Sequence, residues 1–180
     1  MNWIVTEISG LIKGLALFEQ PQAGDWQKAE ASLGLALPLD FKALVSQVGT
    51  GWFGNLILFN PASRLPNVEL VGNIQACAEK VSLLRRDLDL PIFPESRGYV
   101  HLGHGTDRWD LLWRRTTGQP ADLVWVDWDA GEYFPLSLPL PDFLVGAFRG
   151  RLVDARMRQL GGSVWFTGDR EFFLPLQPRT

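Results

Sequence analysis

The chain has one cysteine, Cys77, so no internal disulfide can form. Cys77 sits between Ala76 and Ala78 in an apolar helical pattern. It reads as a small core residue rather than a nucleophile, which would need a histidine partner and a lowered pKa. Basic residues are also in short supply: 17 Lys and Arg against 20 Asp and Glu leave a formal net charge of −3. Nucleic-acid binders normally carry a basic excess, so direct nucleic-acid binding is not expected. Arg149, Arg151, Arg156 and Arg158 do cluster around Asp154, and they read as a solvated face near the C-terminal end of a helix. No apolar run reaches the roughly 18 residues that a membrane helix needs. The apolar N-terminus contains Glu7 and lacks both a basic n-region and an A-x-A cleavage site. It reads as an amphipathic helix of a cytoplasmic protein. Several catalytic signatures are missing too: no G-x-S-x-G elbow, H-E-x-x-H or C-x-x-C occurs.

Tryptophan, by contrast, is abundant, with eight in 180 residues. Each large aromatic buries about 150–250 Å² when fully inside. At about 25 cal/mol per Å² that is roughly 4–6 kcal/mol apiece, before entropy is counted. A chain of this length, expected to form one domain over residues 1–180, can therefore fold without disulfide or metal. Rings left on the surface would favour a protein partner.

The first half carries helical periodicity. Ile4, Ile8, Leu11 and Leu15 repeat at helix spacing. Pro21 and Gly24 break the pattern, and Asp25 is the expected N-cap of a second helix, with Trp26, Ala29 and Leu33 on one face and Gly34 at its end. Pro38 fits the first turn of a third helix, in which Phe41, Leu44, Val45 and Val48 face the core and Gly49 closes. Gly51 to Gly54 read as a turn, followed by a short "LILF" strand that stops at Asn60-Pro61. A fourth helix is expected over roughly 68–88, with Ile74, Cys77, Val81, Leu84 and Leu88 as its buried stripe.

The second half changes period from 3.6 to 2. "YVHLG", "RWDLLWRR", "DLVWVDW" and "EYFPL" alternate and are separated by short turns, which predicts an antiparallel meander. A helix around Phe143, Ala147 and Phe148 follows. The tail "VWFTGDREFFL" is either a hairpin or a strand that finishes the sheet. Helices, then strands, then a helix indicate an α+β fold: a mainly antiparallel sheet flanked by helices.

Three polar stretches could carry chemistry. In "HLGHGTDRWDLLW", His101, His104, Asp107 and Asp110 recur every third residue. Gly103 and Gly105 argue against a helix there, and strand residues three apart point to opposite faces. The histidines are thus expected to diverge unless a turn falls between them, and "GHGTD" has turn composition, with Asp107 bonding its own backbone. A metal site is not expected. In "DWDAGE", Asp127, Asp129 and Glu132 resemble the start of a calcium loop, but Gly131 stands at position five and Leu138 at position twelve, so the ligand spacing fails. This reads as a solvated hairpin turn. "GTGWFGN" follows a helix, precedes a strand and has no lysine, so it is not a phosphate loop. No cofactor is expected.

These segments resemble the SUKH superfamily, which includes Smi/Knr-type fungal regulators of cell-wall synthesis and bacterial toxin-immunity proteins. The resemblance rests first on Trp26 to Pro61: Leu33-Gly34, then Leu37-Pro38-Leu39-Asp40-Phe41, the glycine-rich turn Gly49 to Gly54, and the strand Leu56 to Phe59. The strand–turn–strand with Gly103, Asp107 and Asp110 is similar to a second family segment, although Trp109 replaces the family's glycine before Asp110. The closing strands and Asp142-Phe143-Leu144 are similar to its final helix. The resemblance spans about residues 22–150, leaving 151–180 as a C-terminal extension.

The resemblance implies a single SUKH-like domain without catalytic activity. It also implies an immunity protein that binds and occludes a toxin domain, often a nuclease with a basic cleft. An acidic surface would be steered onto such a cleft. Trp52, Asp110, Trp128, Asp129 and Glu132 are the expected partner contacts. The alternatives are a Smi/Knr-like regulatory or scaffold module and a metal-dependent enzyme using His101 and His104.

Overall fold

In a computed structural model, the described residues are 3–84, 90–105, 109–114, 122–128, 131–136, 138–149 and 171–177. Three helices come first: α1 (Trp3–Leu11), α2 (Ala23–Leu33) and α3 (Leu39–Val48). A hairpin of β1 (Gly51–Phe53) and β2 (Leu56–Leu58) leads into α4 (Leu70–Leu84). Then come β3 (Tyr99–Gly105), β4 (Trp109–Arg114), β5 (Asp122–Asp127) and β6 (Glu132–Leu136), the helix α5 (Leu140–Phe148), and the short β7 (Leu174–Pro175). The strands form one sheet in the order β6-β5-β4-β3-β2-β1-β7, antiparallel throughout. The fold is α+β, with the sheet flanked by helices, as the change of period predicts.

The helices form for the reasons visible in the sequence. Trp26, Ala29 and Leu33 of α2, and Phe41, Leu44, Val45 and Val48 of α3, are all buried. The Trp26 ring meets Phe41 edge-on at 5.8 Å, and its Nε1–H donates to Ser46 Oγ at 2.8 Å. The start of α2 differs from expectation. Gln22, not Asp25, is the N-cap; Asp25 lies at the third helical position, where its Oδ2 accepts the Gln22 backbone N–H at 2.8 Å. A carboxylate there satisfies an orphan donor and suits the positive end of the helix dipole. At the other end, Gly34 adopts φ 65° and closes α2 in the left-handed conformation.

Period-2 alternation sorts the strand residues onto two faces. Val100, Leu102, Leu111, Trp113, Leu123 and Trp125 join the large core built with α1, α2, α3 and α5. Tyr99, Leu112, Val124 and Val126 form a second cluster with Cys77 of α4, which packs on β3. Of the expected α4 stripe, Ile74 and Cys77 are buried; Leu88 lies outside the described residues, and nothing is assigned to the Val81 and Leu84 side chains. The tail finishes the sheet: β7 pairs with β1, and Phe172 and Phe173 pack on Phe53 at 5.4 and 4.8 Å.

Two local expectations are corrected. The glycine-rich stretch is not a simple turn, because Gly51–Phe53 is itself a strand and the reversal falls at Gly54-Asn55. Nor does a turn separate His101 from His104, since β3 runs through both. A β-bulge between His101 and Gly103 inserts one residue against β4, so that His101 faces Leu112 and His104 faces Asp110. Three steps on β3 match two on β4, which restores parity and puts both imidazoles on the same face. Gly103 fits this place because a Cβ there would lie 2.4 Å from the Ile57 carbonyl oxygen. The reversal between β3 and β4, including Asp107, lies outside the described residues.

Candidate functional site

The register carries one row of residues across six strands. Trp52 stands opposite Ile57, Ile57 opposite His104, His104 opposite Asp110, Asp110 opposite Val126, and Val126 opposite Tyr133. Opposed residues share a face. The sheet therefore brings Trp52 and Asp110 to one side, although 57 positions separate them in the sequence. Trp128, two residues past Val126, is on the same side and touches Asp110.

At the centre of the row is a buried charge pair. His101 Nε2 lies 3.2 Å from Asp110 Oδ1, and the two residues are 8 % and 5 % exposed. With the imidazole protonated, this contact is an ion pair. The other carboxylate oxygen, Asp110 Oδ2, accepts the Trp128 indole N–H at 2.6 Å. On the helix side the Cys77 thiol lies against the imidazole, and the Phe59 ring meets it edge-on at 4.6 Å. Burial disfavours the imidazolium, but the Asp110 carboxylate and the contact with Cys77 outweigh it and push the His101 pKa up to about 10. The raised pKa favours the imidazolium, which carries a proton on both ring nitrogens. Its role in this state is to neutralise the carboxylate that holds Trp128.

Cys77, His101 and Asp110 thus stand in the order of a nucleophile, base and acid, an arrangement the sequence did not reveal because it brings α4, β3 and β4 together. Cys77 is buried, with 4 % of the residue exposed. Among the described residues, no three or more His, Cys, Asp or Glu side chains are placed to hold a metal.

His104 faces a different neighbourhood. Its Nε2 donates toward the Asn67 carbonyl oxygen at 3.2 Å, and Trp52 packs edge-on against it at 6.1 Å. The half-buried Trp52 is therefore partly committed to packing. Asp110 is not the surface carboxylate the sequence suggested; it is buried beneath Trp128. Trp128 is half-buried and Glu132 is exposed at the start of β6, opposite Asp127. Asp129 lies outside the described residues.

A second polar knot has no signal in the sequence. Glu19 adopts φ 52°, unusual for a residue with a side chain. Its Oε2 accepts from Thr50 Oγ1 and Ser63 Oγ, both at 2.9 Å, and its Oε1 from the Arg64 backbone N–H at 2.9 Å. Its carbonyl accepts from Asn60 Nδ2 at 2.8 Å. Thr50 and Asn60 are fully buried. The knot ties the segment between α1 and α2 to the β1–β2 hairpin, and each of these groups is satisfied within the chain, which marks it as structural. Comparison of the chain with protein-family models, curated proteins and solved structures gave no match.

Proposed function

We propose that this protein is a non-catalytic, SUKH-type binding protein that neutralises a bacterial toxin domain by direct contact in the cytoplasm. The observation that supports this reading is the clamp on Trp128. The indole sits half-exposed where β5 ends, and its N–H is tied at 2.6 Å to a buried carboxylate that has its own buried counter-charge. An aromatic side chain fixed before binding loses little rotamer entropy on binding, which is what an interface anchor needs. Glu132 adds an exposed negative charge at the same end of the sheet. The net charge of −3 favours encounter with a basic surface, such as a nuclease cleft.

The test is co-expression with the product of any toxin-like gene found beside this one. The expected result is restored growth and a complex that co-elutes on gel filtration. Trp128→Ala, with folding verified by circular dichroism, is expected to weaken the complex by about 30-fold or more, the loss typical of an anchor. Glu132→Lys is expected to slow association and to alter its salt dependence. Undiminished toxicity, with no complex formed by the wild-type chain, would overturn the reading.

A further inference from the structure

The sheet face that carries Trp128 has a concavity displaced toward the other end of the strands. It encloses about 330 Å³ and is lined by Tyr99, Arg114, Val124, Tyr133 and Pro135, and bordered by Leu123 and Leu136, whose side chains belong to the core on the opposite face. The register explains why these side chains meet. Tyr99 stands opposite Arg114 and Val124 opposite Pro135, and Tyr133 is two residues from Pro135 on the same face. Val124 is buried and apolar, whereas Arg114, Tyr133 and Pro135 are exposed. Arg114 makes no hydrogen bond or ion pair with another described residue. The groove therefore combines an apolar floor, aromatic walls and one guanidinium. This is the usual composition of a small-ligand site, an apolar hollow with a few polar groups that fix orientation, and its volume falls at the lower end of the usual range.

We propose that this groove binds a ligand with a terminal carboxylate on a short apolar or aromatic body. The guanidinium supplies paired N–H donors whose geometry matches a carboxylate. Tyr133 lines the same groove and offers a hydroxyl donor, and the valine and proline surfaces accept the apolar body. A neutral apolar ligand would leave the guanidinium without a partner. A strongly hydrated polyanion would gain nothing from the floor.

This inference is independent of toxin neutralisation. The full-length protein is titrated with 3-phenylpropionate and with its neutral amide, followed by calorimetry and by backbone amide resonances of β5 and β6. The acid is expected to bind saturably and at least about tenfold more tightly than the amide, since a charge-assisted pair contributes on that scale. Arg114→Gln is expected to abolish the difference between acid and amide at an unchanged melting temperature. Tyr133→Phe is expected to weaken the acid by about threefold. A hexapeptide ending in free phenylalanine and its C-terminally amidated form distinguish the sources. Tighter binding of the free-acid peptide than of phenylpropionate assigns the groove to protein C-termini, and the reverse assigns it to small acids. Equal binding of acid and amide, wild-type affinity in Arg114→Gln, or no saturable binding of any probe would overturn the proposal.

Discussion

The buried pair of His101 and Asp110 makes the stability of this protein depend on alkaline pH, with a definite sign. In the folded chain His101 titrates at about 10. In the unfolded chain it returns to the ordinary histidine value near 6.5. Below about pH 6.5 both states are protonated, and the full stabilisation is present. As pH rises toward 10, only the folded state keeps its proton, and stability falls by about 1.4 kcal/mol for each pH unit. The interval between the two values corresponds to roughly 5 kcal/mol at most, a large share of the ~5–15 kcal/mol that holds an ordinary domain together. Urea unfolding at pH 6, 7, 8 and 9 should show a midpoint that falls steadily at nearly constant m-value. In His101→Gln that slope should flatten, and at pH 6 the variant should be less stable by about 3–5 kcal/mol, because Asp110 is left buried and unpaired. If the single variant does not fold, the double replacement His101→Gln with Asp110→Asn removes both charges and should be more stable than either single one. The imidazole carbon resonance of His101 provides a direct check, with an expected midpoint far above that of free histidine. A wild-type stability that is flat between pH 7 and 9, or a His101 midpoint near 6.5, would refute the reasoning.

Other perturbations follow from the same contacts. Trp128→Phe keeps the ring but removes the N–H from Asp110 Oδ2; it should cost about 1.5–3 kcal/mol in chemical denaturation, the range for a bond to a charged group. Gly103→Ala places a methyl 2.4 Å from the Ile57 carbonyl oxygen, and strain on that scale should lower stability by about 1–3 kcal/mol in thermal or urea unfolding. Glu19→Ala removes the acceptor shared by Thr50, Ser63 and Arg64 N–H and should cost about 3 kcal/mol, with faster hydrogen exchange at Thr50 and Arg64. The Glu30 pKa is lowered: burial opposes this, but the Lys42 ammonium and the Leu37 N–H outweigh it. Its modest contribution is present above the ordinary carboxylate range and is lost as pH falls through the lowered value, so Glu30→Gln should flatten the acid limb of the stability curve.

How far the sequence carries depends on whether a feature repeats. Trp26, Ala29 and Leu33, or Phe41, Leu44, Val45 and Val48, recur at intervals that only a helix can bring to one side, so α2 and α3 were legible within a residue or two. The alternation in β4 and β5 was equally plain. The three-residue strand Gly51–Phe53 was not. Its glycines carry a turn signal, and its strand character comes from pairing with β2 on one side and the distant β7 on the other. The Glu19 knot was hidden for a related reason. Its acceptors and donors lie 31 to 45 positions apart and form no periodic pattern. The exposure of Glu132 was legible, whereas the burial of Asp110 was not, because alternation alone does not say which side of β4 has a cover.

The bulge in β3 links these failures to the site. Read as an unbroken strand, the sequence sends His101 and His104 to opposite faces, and any polar network through both looks impossible. One inserted residue reverses that conclusion. It leaves His104 in register with Asp110 and Trp52, while His101 stays on the same face, close enough to reach the Asp110 carboxylate. Without the insertion His104 would fall on the face of Leu102 and Leu111, inside an apolar core with no acceptor for its ring. The histidine spacing that suggests a metal site on paper is therefore explained by strand geometry. One imidazole neutralises the carboxylate beneath Trp128, the other supports Trp52, and that carboxylate holds the Trp128 indole by a hydrogen bond.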